Sequence, residues 1–155
     1  MTGFSHVDEA GQARMVDVSG KAISVRTATA TGRVVVSAEV VSLLRSGGTA
    51  KGDALAVARI AGIQAAKRTP DLVPLCHPIA IHGVVMDLVV RDSDVAMSAT
   101  VRTADRTGVE MEALTCVAVA GLALIDMVKA VDPAALITDI RVEEKTGGKT
   151  GSWRR

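Results

Sequence analysis

The sequence predicts an α+β domain in which helices pack on one face of an antiparallel sheet. Three observations carry that expectation. Val- and Thr-rich runs with partial two-residue alternation recur along the chain, as half-buried strands require. Between them lie apolar residues at helical spacing, preceded by N-cap residues and followed by Gly or Pro. The elements fall in the order β-α-α-β-β-α-β, with two consecutive strands in the middle.

Each element has its own warrant. Residues 1–14 are polar and aperiodic and read as a mobile N-terminal arm, leaving 15–155 as a single domain. "ISVRTATATGRVVV", 23–36, reads as one long strand or a bent pair. Ser37 can cap a short helix over 38–45, ended by Gly47 and Gly48. Asp53 is a candidate cap for the next helix, with Leu55, Ala58, Ile60 and Ile63 on its apolar side, Lys67 and Arg68 in its last turn and Pro70 as its stop. Residues 81–91 and 94–104 read as a hairpin turning at Asp92 and Ser93. Thr107-x-x-Glu110 has capping-box spacing and opens the longest helix, 108–131, which Asp132-Pro133 closes. A last strand spans 136–144, and a flexible basic tail, 145–155, ends the chain. This order is close to the ferredoxin-like arrangement.

Composition narrows the function. The chain has 155 residues, 48% apolar, and a net charge of +1, which suits one globular domain with a real core. Balanced charge, no tyrosine, one Phe4 and one Trp153 argue against a nucleic-acid binder. The apolar stretch Ala113 to Ile125 is bounded by Glu112 and Asp126 and is short for a bilayer, and no signal segment is apparent in "MTGFSHVDEAGQ". Two cysteines, Cys76 and Cys116, give no disulfide framework. A soluble, cytoplasmic protein is expected.

Several stretches could carry chemistry. "TGGKTG" suggests a phosphate loop, but Glu143 stands where that pattern needs its first glycine, and no helix follows. What remains is a solvated terminus or a phosphate-contacting flap. Lys51 and Gly52 directly precede a helix N-terminus, where an ammonium, the dipole and free N–H groups can meet an anion; the alternative is an exposed loop lysine. Asp126 lies near a helix C-terminus, where the dipole disfavours a carboxylate, and Lys129 shares its face. Either the two form an ordinary ion pair, or the carboxylate holds a lysine that gives and takes a proton.

Glu110 and Glu112 point roughly 200° apart around a helix and cannot act as one dyad. Glu112 and Lys129 return to nearly the same face, yet lie roughly 25 Å apart at ~1.5 Å per residue. A site using both must combine two chains, which predicts an oligomer. In "PLCHP", Cys76 and His77 lack the further ligands of a zinc site, and neighbours in an extended segment face opposite ways, which disfavours a Cys–His nucleophile pair. Pro74 and Pro78 instead stiffen a loop that presents His77 to a ligand, unless the cysteine is simply buried and the histidine a surface residue.

"MVDVSGKA" (15–22), "KGDALAVARIAGIQAAKRTPDLVPLCHP" (51–78), "TGVEMEALT" (107–115), "DMVKAVD" (126–132) and "EKTGGKTG" (144–151) together resemble the MoaC family, the cyclic pyranopterin monophosphate synthases of molybdenum cofactor biosynthesis. The resemblance implies a reaction in which a cyclised dihydro-GTP is rearranged, pyrophosphate leaves and a cyclic phosphate closes, with no redox cofactor required; magnesium accompanying the phosphates is compatible with it. It implies catalytic roles for Lys51, Asp126 and Lys129. Leu75, Cys76, His77, Glu110, Met111 and Glu112 become substrate contacts, with Arg26 and Lys145 near the phosphates. It also implies a homohexamer, a trimer of dimers with sites between subunits. Ile125, Cys116 and Gly121 depart from the family's usual residues, and none of them is a proposed catalytic group. The alternatives are a non-catalytic nucleotide- or pterin-binding module, an inactive paralogue or a metal-dependent hydrolase.

Overall fold

The structure is a computed structural model that describes residues 5–47, 49 and 51–155. β1, Ser24–Val35, is the central strand. Its two-residue period puts Ala28, Ala30 and Val34 in the core with no exposed surface, while Thr29, Thr31 and Arg33 occupy the opposite face. β2, Gly83–Val90, and β3, Asp94–Asp105, form the expected hairpin around Asp92 and Ser93. β3 pairs with β1 from Ser24↔Asp105 to Val35↔Asp94. β4, Leu136–Thr146, pairs with the other edge of β1, with two irregularities in register. The sheet order is β2-β3-β1-β4-β5, antiparallel throughout, where β5 is the two-residue strand Trp153–Arg154. The first four strands follow the ferredoxin-like order expected from the sequence. The short β5 was not expected; it forms because the chain turns back through Gly147, Gly148 and Gly151, all at positive φ.

Four helices complete the fold: α1, Ala38–Ser46; α2, Ala54–Ala66; α3, Thr69–Leu72; and α4, Glu110–Val128. α4 lies across β1, β3 and β4, and α2 packs beside it and against β2. The close approach depends on two glycines. A Cβ at Gly32 of β1 would meet Val117 of α4 at 2.8 Å, and one at Gly62 of α2 would meet the Cys116 carbonyl of α4 at 2.8 Å. Without large aromatics, the core is filled by Val, Ala, Leu and Met, and such small side chains pack only when backbones come close.

Local chemistry sets the ends of the helices. Ser37 caps α1 through the Val40 N–H, and Gly47 ends it in the left-handed conformation; Gly48, also assigned to that stop, lies outside the described residues, as do residues 1–4 of the arm. Asp132, nearly buried, accepts the Ser37 N–H at 2.7 Å and the Ala134 N–H at 3.1 Å, tying the end of α4 to the start of α1. Pro70 does more than stop α2. Its fixed φ suits a first helical turn, and it opens the one-turn α3. Lys67 is the cap of α2 and Arg68 lies beyond it, so neither sits in its last turn.

The predicted capping box does not form. α4 starts at Glu110 behind Val109, with no side-chain cap, and Glu110 instead meets Lys145 of β4 at 3.1 Å. A full opposite charge from the neighbouring strand outcompetes a backbone N–H for the carboxylate. At 19 residues and mean hydropathy 1.9, α4 is also longer than its uncharged stretch and matches a bilayer span in length and composition. Its packing identifies it as a core helix, because half of that window is buried against α2 and the sheet.

Candidate active site

The residues singled out in the sequence gather at the two ends of α4. At its C-terminal end stands a charged cluster of three. Lys129 is the C-cap, and its Nζ lies 2.7 Å from Asp126 Oδ1. Lys51, in the turn before α2, donates to the Asp126 main-chain carbonyl at 2.8 Å and lies 3.6 Å from Oδ2 of the same residue. The carbonyl belongs to the last turn of α4, whose acceptors lack partners within the helix. The hydrogen bond and charge of Lys129, followed by the charge of Lys51, hold the Asp126 carboxyl below its usual value. Two ammonium groups thus offset the unfavourable helix dipole.

Lys51 does not build an anion site at the start of α2. The Asp53 carboxylate occupies that N-terminus, accepting the Ala56 N–H at 2.9 Å, and Gly52 at φ 98° turns the lysine toward α4 instead.

At the N-terminal end of α4, Leu75, Cys76, His77, Glu110, Met111 and Glu112 line a cavity of about 360 Å³. The segment Val16–Val18 forms another of its walls, and His77 donates Nε2–H to the Val16 carbonyl at 2.6 Å. Glu112 is 3% exposed, and burial, with the negative charge of Glu110, pushes its carboxyl up to about 7. Burial and the Glu112 charge also push the Cys76 thiol up, which opposes thiolate chemistry there. Cys116 faces α2 and Met86 and is pushed up to about 12 by burial, an inert core thiol.

A larger cavity of about 690 Å³ adjoins the first, sharing Lys21, Thr107 and Gly108 with it. Arg26 and Lys145, both singled out in the sequence, line it together with Lys21 and Lys149. Arg26 is fixed by the Asp105 carbonyl at 2.9 Å, and Lys145 by Glu110 and by the Thr150 hydroxyl at 3.1 Å. Four cations face one carboxylate, so the cavity suits a polyanion. Lys21 and Lys149 were not among the sequence candidates. The signal for Lys21 was present in "SGKA", a lysine after a glycine turn, but nothing local says that the C-terminal tail returns beside it.

A third cavity, of about 440 Å³, lies on the open face of the sheet. Its arginines already have partners: Arg33 meets Asp94 at 3.3 Å and Asp139 at 2.5 Å, Arg91 meets Asp94 at 2.5 Å, and Arg141 meets Glu143 at 2.6 Å. Little free positive charge remains there for a ligand.

The MoaC family profile matches residues 15–148. A cyclic pyranopterin monophosphate synthase of Streptomyces avermitilis is 68% identical over 152 residues, covering 98% of this chain and 89% of the relative. The synthase of a Nocardioides species is 67% identical over 155 residues, covering 98% and 95%. Cyclic pyranopterin monophosphate synthase 2 of Mycobacterium tuberculosis is 60% identical over 152 residues, covering 98% and 91%. With the family profile and these relatives spanning nearly its whole length, the chain belongs to the MoaC family.

Proposed function

We propose that this protein is a cyclic pyranopterin monophosphate synthase that converts the cyclised dihydro-GTP, (8S)-3',8-cyclo-7,8-dihydroguanosine 5'-triphosphate, to cyclic pyranopterin monophosphate and pyrophosphate. The observation that carries the reading is the four-cation cavity beside Glu112 and His77, in a chain this similar to named synthases. The triphosphate lies among Lys21, Arg26, Lys145 and Lys149: Lys21 and Lys149 add binding charge, and Arg26 and Lys145, each fixed by a partner, stabilise the charge of departing pyrophosphate. A substrate hydroxyl gives up its proton and attacks the phosphorus that stays, the new P–O bond forming as the bond to pyrophosphate breaks, so the closure itself exchanges no electrons. Lys129, oriented by Asp126, and Lys51 move the protons of the skeletal rearrangement.

The two clusters stand roughly 25 Å apart along one straight helix at ~1.5 Å per residue. The working site is therefore composite: one subunit supplies the basic cavity, Glu112 and His77, and a second supplies Lys51, Asp126 and Lys129. A homohexamer built as a trimer of dimers accommodates this. Among the described residues, no three His, Cys, Asp or Glu side chains gather to hold a metal. Magnesium accompanying the substrate phosphates is compatible with this reading, and no step is routed through it. Both cysteines are free, consistent with a cytoplasmic protein.

Incubation of the purified protein with the cyclic dihydro-GTP should release pyrophosphate. Lys51→Ala and Lys129→Ala should each abolish release while the assembly keeps its mass; retained turnover would remove the lysines from the mechanism. Co-assembly of Lys129→Ala chains with Glu112→Ala chains tests the composite site. Random pairing leaves one intact site in half of the dimers, so about a quarter of wild-type turnover should return. No recovery would mean that each chain works alone.

A further inference from the structure

The core-facing row of β1 runs Val34, Gly32, Ala30, Ala28, Arg26 and Ser24. α4 covers this row only in part. Its first residue, Glu110, meets Lys145, the register partner of Ala28, so Arg26 and Ser24 continue past the start of the helix. There they line the larger cavity with Lys21, Lys145 and Lys149. Arg26 is held by the Asp105 carbonyl at 2.9 Å, and Asp105 is the register partner of Ser24. The Ser24 hydroxyl has no such hold. Its Oγ is buried and has no hydrogen-bond partner, the one such side-chain atom among the described residues. Elsewhere the fold pairs what it buries: Thr69 donates to the Ala66 carbonyl at 3.0 Å, and Thr103 donates to the Ala80 carbonyl at 2.5 Å.

An unpaired buried hydroxyl destabilises the fold that holds it. It also stays free for a ligand, since turning it breaks no hydrogen bond within the protein. A serine hydroxyl moves among three staggered positions about a single bond, and residue 24 belongs to the cavity wall. The other polar side chains of that wall are the four cations and the hydroxyls of Thr107 and Thr150. Guanidinium and ammonium groups only donate, so a ligand that satisfies them is rich in acceptors. A phosphate oxygen meets that description. We propose that Ser24 is a further substrate contact, its hydroxyl donating a hydrogen bond to a phosphate oxygen of the triphosphate beside Arg26. This rests on the reading of the cavity as the triphosphate site and adds a neutral donor to its cations. Such a donor acts at contact distance and from a buried position, so salt does not screen it, whereas the attraction of the lysines falls with ionic strength.

Calorimetric titration with inorganic pyrophosphate reads the contact without turnover. Ser24→Ala should weaken binding about tenfold, as expected for a lost hydrogen bond to a charged group, and by the same factor at low and high salt. Without pyrophosphate, its thermal midpoint should equal or exceed that of the wild type, because the substitution removes an unpaired polar atom and breaks no hydrogen bond. Ser24→Thr, which keeps the hydroxyl, should restore the affinity. A Ser24→Ala deficit that fades as salt rises would mean that the hydroxyl acts through the placement of Arg26, and would overturn the contact. So would a lowered midpoint, which would reveal a partner within the fold, or a Ser24→Thr protein that binds as weakly as Ser24→Ala. Wild type that bound no pyrophosphate would sink the cavity reading and this inference together. Wild-type binding beside unchanged affinity in Ser24→Ala would sink the inference alone.

Discussion

Lys51 reaches Asp126 twice, through the main-chain carbonyl at 2.8 Å and toward the carboxylate at 3.6 Å, across 75 residues of sequence. The carboxylate is therefore shared: one oxygen faces Lys51, and the other faces Lys129 at 2.7 Å. An isolated i,i+3 pair would need no third member. Asp126→Asn should lower turnover by about 10²-fold, the range expected when a proton-transferring group loses its orientation. The group is exposed, so unfolding should hardly change. Because the two lysines depress the Asp126 carboxyl, it stays charged through the ordinary carboxylate range, and the cluster is lost only as pH falls through that lowered value. Steady-state kinetics beside denaturant unfolding would separate the two effects, and a stability loss proportional to the activity loss would refute a positioning role.

In the proposed composite assembly, Glu112 should make association depend on pH. In a single subunit its carboxyl is held near 7 by burial and by Glu110, with the Cys76 thiol as its other titratable neighbour. The composite-site reading brings Lys129 of a second subunit beside it and favours the ionised form, so on that reading the dimer binds fewer protons than two free subunits. Association should therefore strengthen as pH rises toward 7 and weaken as pH falls toward the ordinary value of 4.5. At least a tenfold change in the dissociation constant between pH 5 and 7 is expected, since lowering a pKa by one on docking favours the dimer by about 1.4 kcal/mol. Sedimentation across that window tests it, and Glu112→Gln should flatten the curve. An equally steep curve in the variant would assign the effect to another group.

The crossing of α2 over α4 is sensitive to one methyl group. Replacing a mid-helix glycine with alanine ordinarily gains about 1 kcal/mol. At Gly62 the new Cβ would stand 2.8 Å from the Cys116 carbonyl and 3.1 Å from the Ala120 Cβ, and backbone cannot move aside as a side-chain tip can. Overpacking typically costs about 1–3 kcal/mol, so the clash should win. Gly62→Ala should lower the midpoint of thermal unfolding by several degrees, roughly 1 kcal/mol at this chain length. A raised midpoint would show that the helices can separate without penalty.

How much of this was legible in the sequence depends on the range of each interaction. Element order, the Ser37 and Asp53 caps and the hairpin at Asp92 are local, and local chemistry specified them. The capping box at Thr107 failed because its glutamate found a strand partner 35 residues away, a competitor that no local pattern contains. The β5 strand and the place of Lys149 beside Lys21 likewise depend on the return of the tail across the sheet edge. The distance between Glu112 and Lys129 was readable because a helix is a ruler, whereas the Lys51 contact with Asp126 depends on how two helices pack and came only with the structure. The sequence resemblance supplied the proposed roles of these residues, and neither periodicity nor spacing could have done so.

Lys21 and Lys149 test the basic cavity without touching the proposed proton-moving groups. They share its lining with Arg26 and Lys145, and neither has a carboxylate partner among the described residues. On the proposed reading each adds charge at the triphosphate site before and during reaction alike, so their removal should weaken ground state and transition state together. Lys21→Ala with Lys149→Ala should raise KM for the cyclic dihydro-GTP about tenfold or more and leave kcat within a factor of about two. Inhibition by pyrophosphate should weaken in parallel, because it competes for the same charges. Raising ionic strength should affect the double variant less than wild type, since screening acts on attractions that the variant has already lost. A variant with unchanged KM and lowered kcat would place these lysines on the departing phosphate rather than on the bound substrate, and one with both constants unchanged would put the polyphosphate elsewhere.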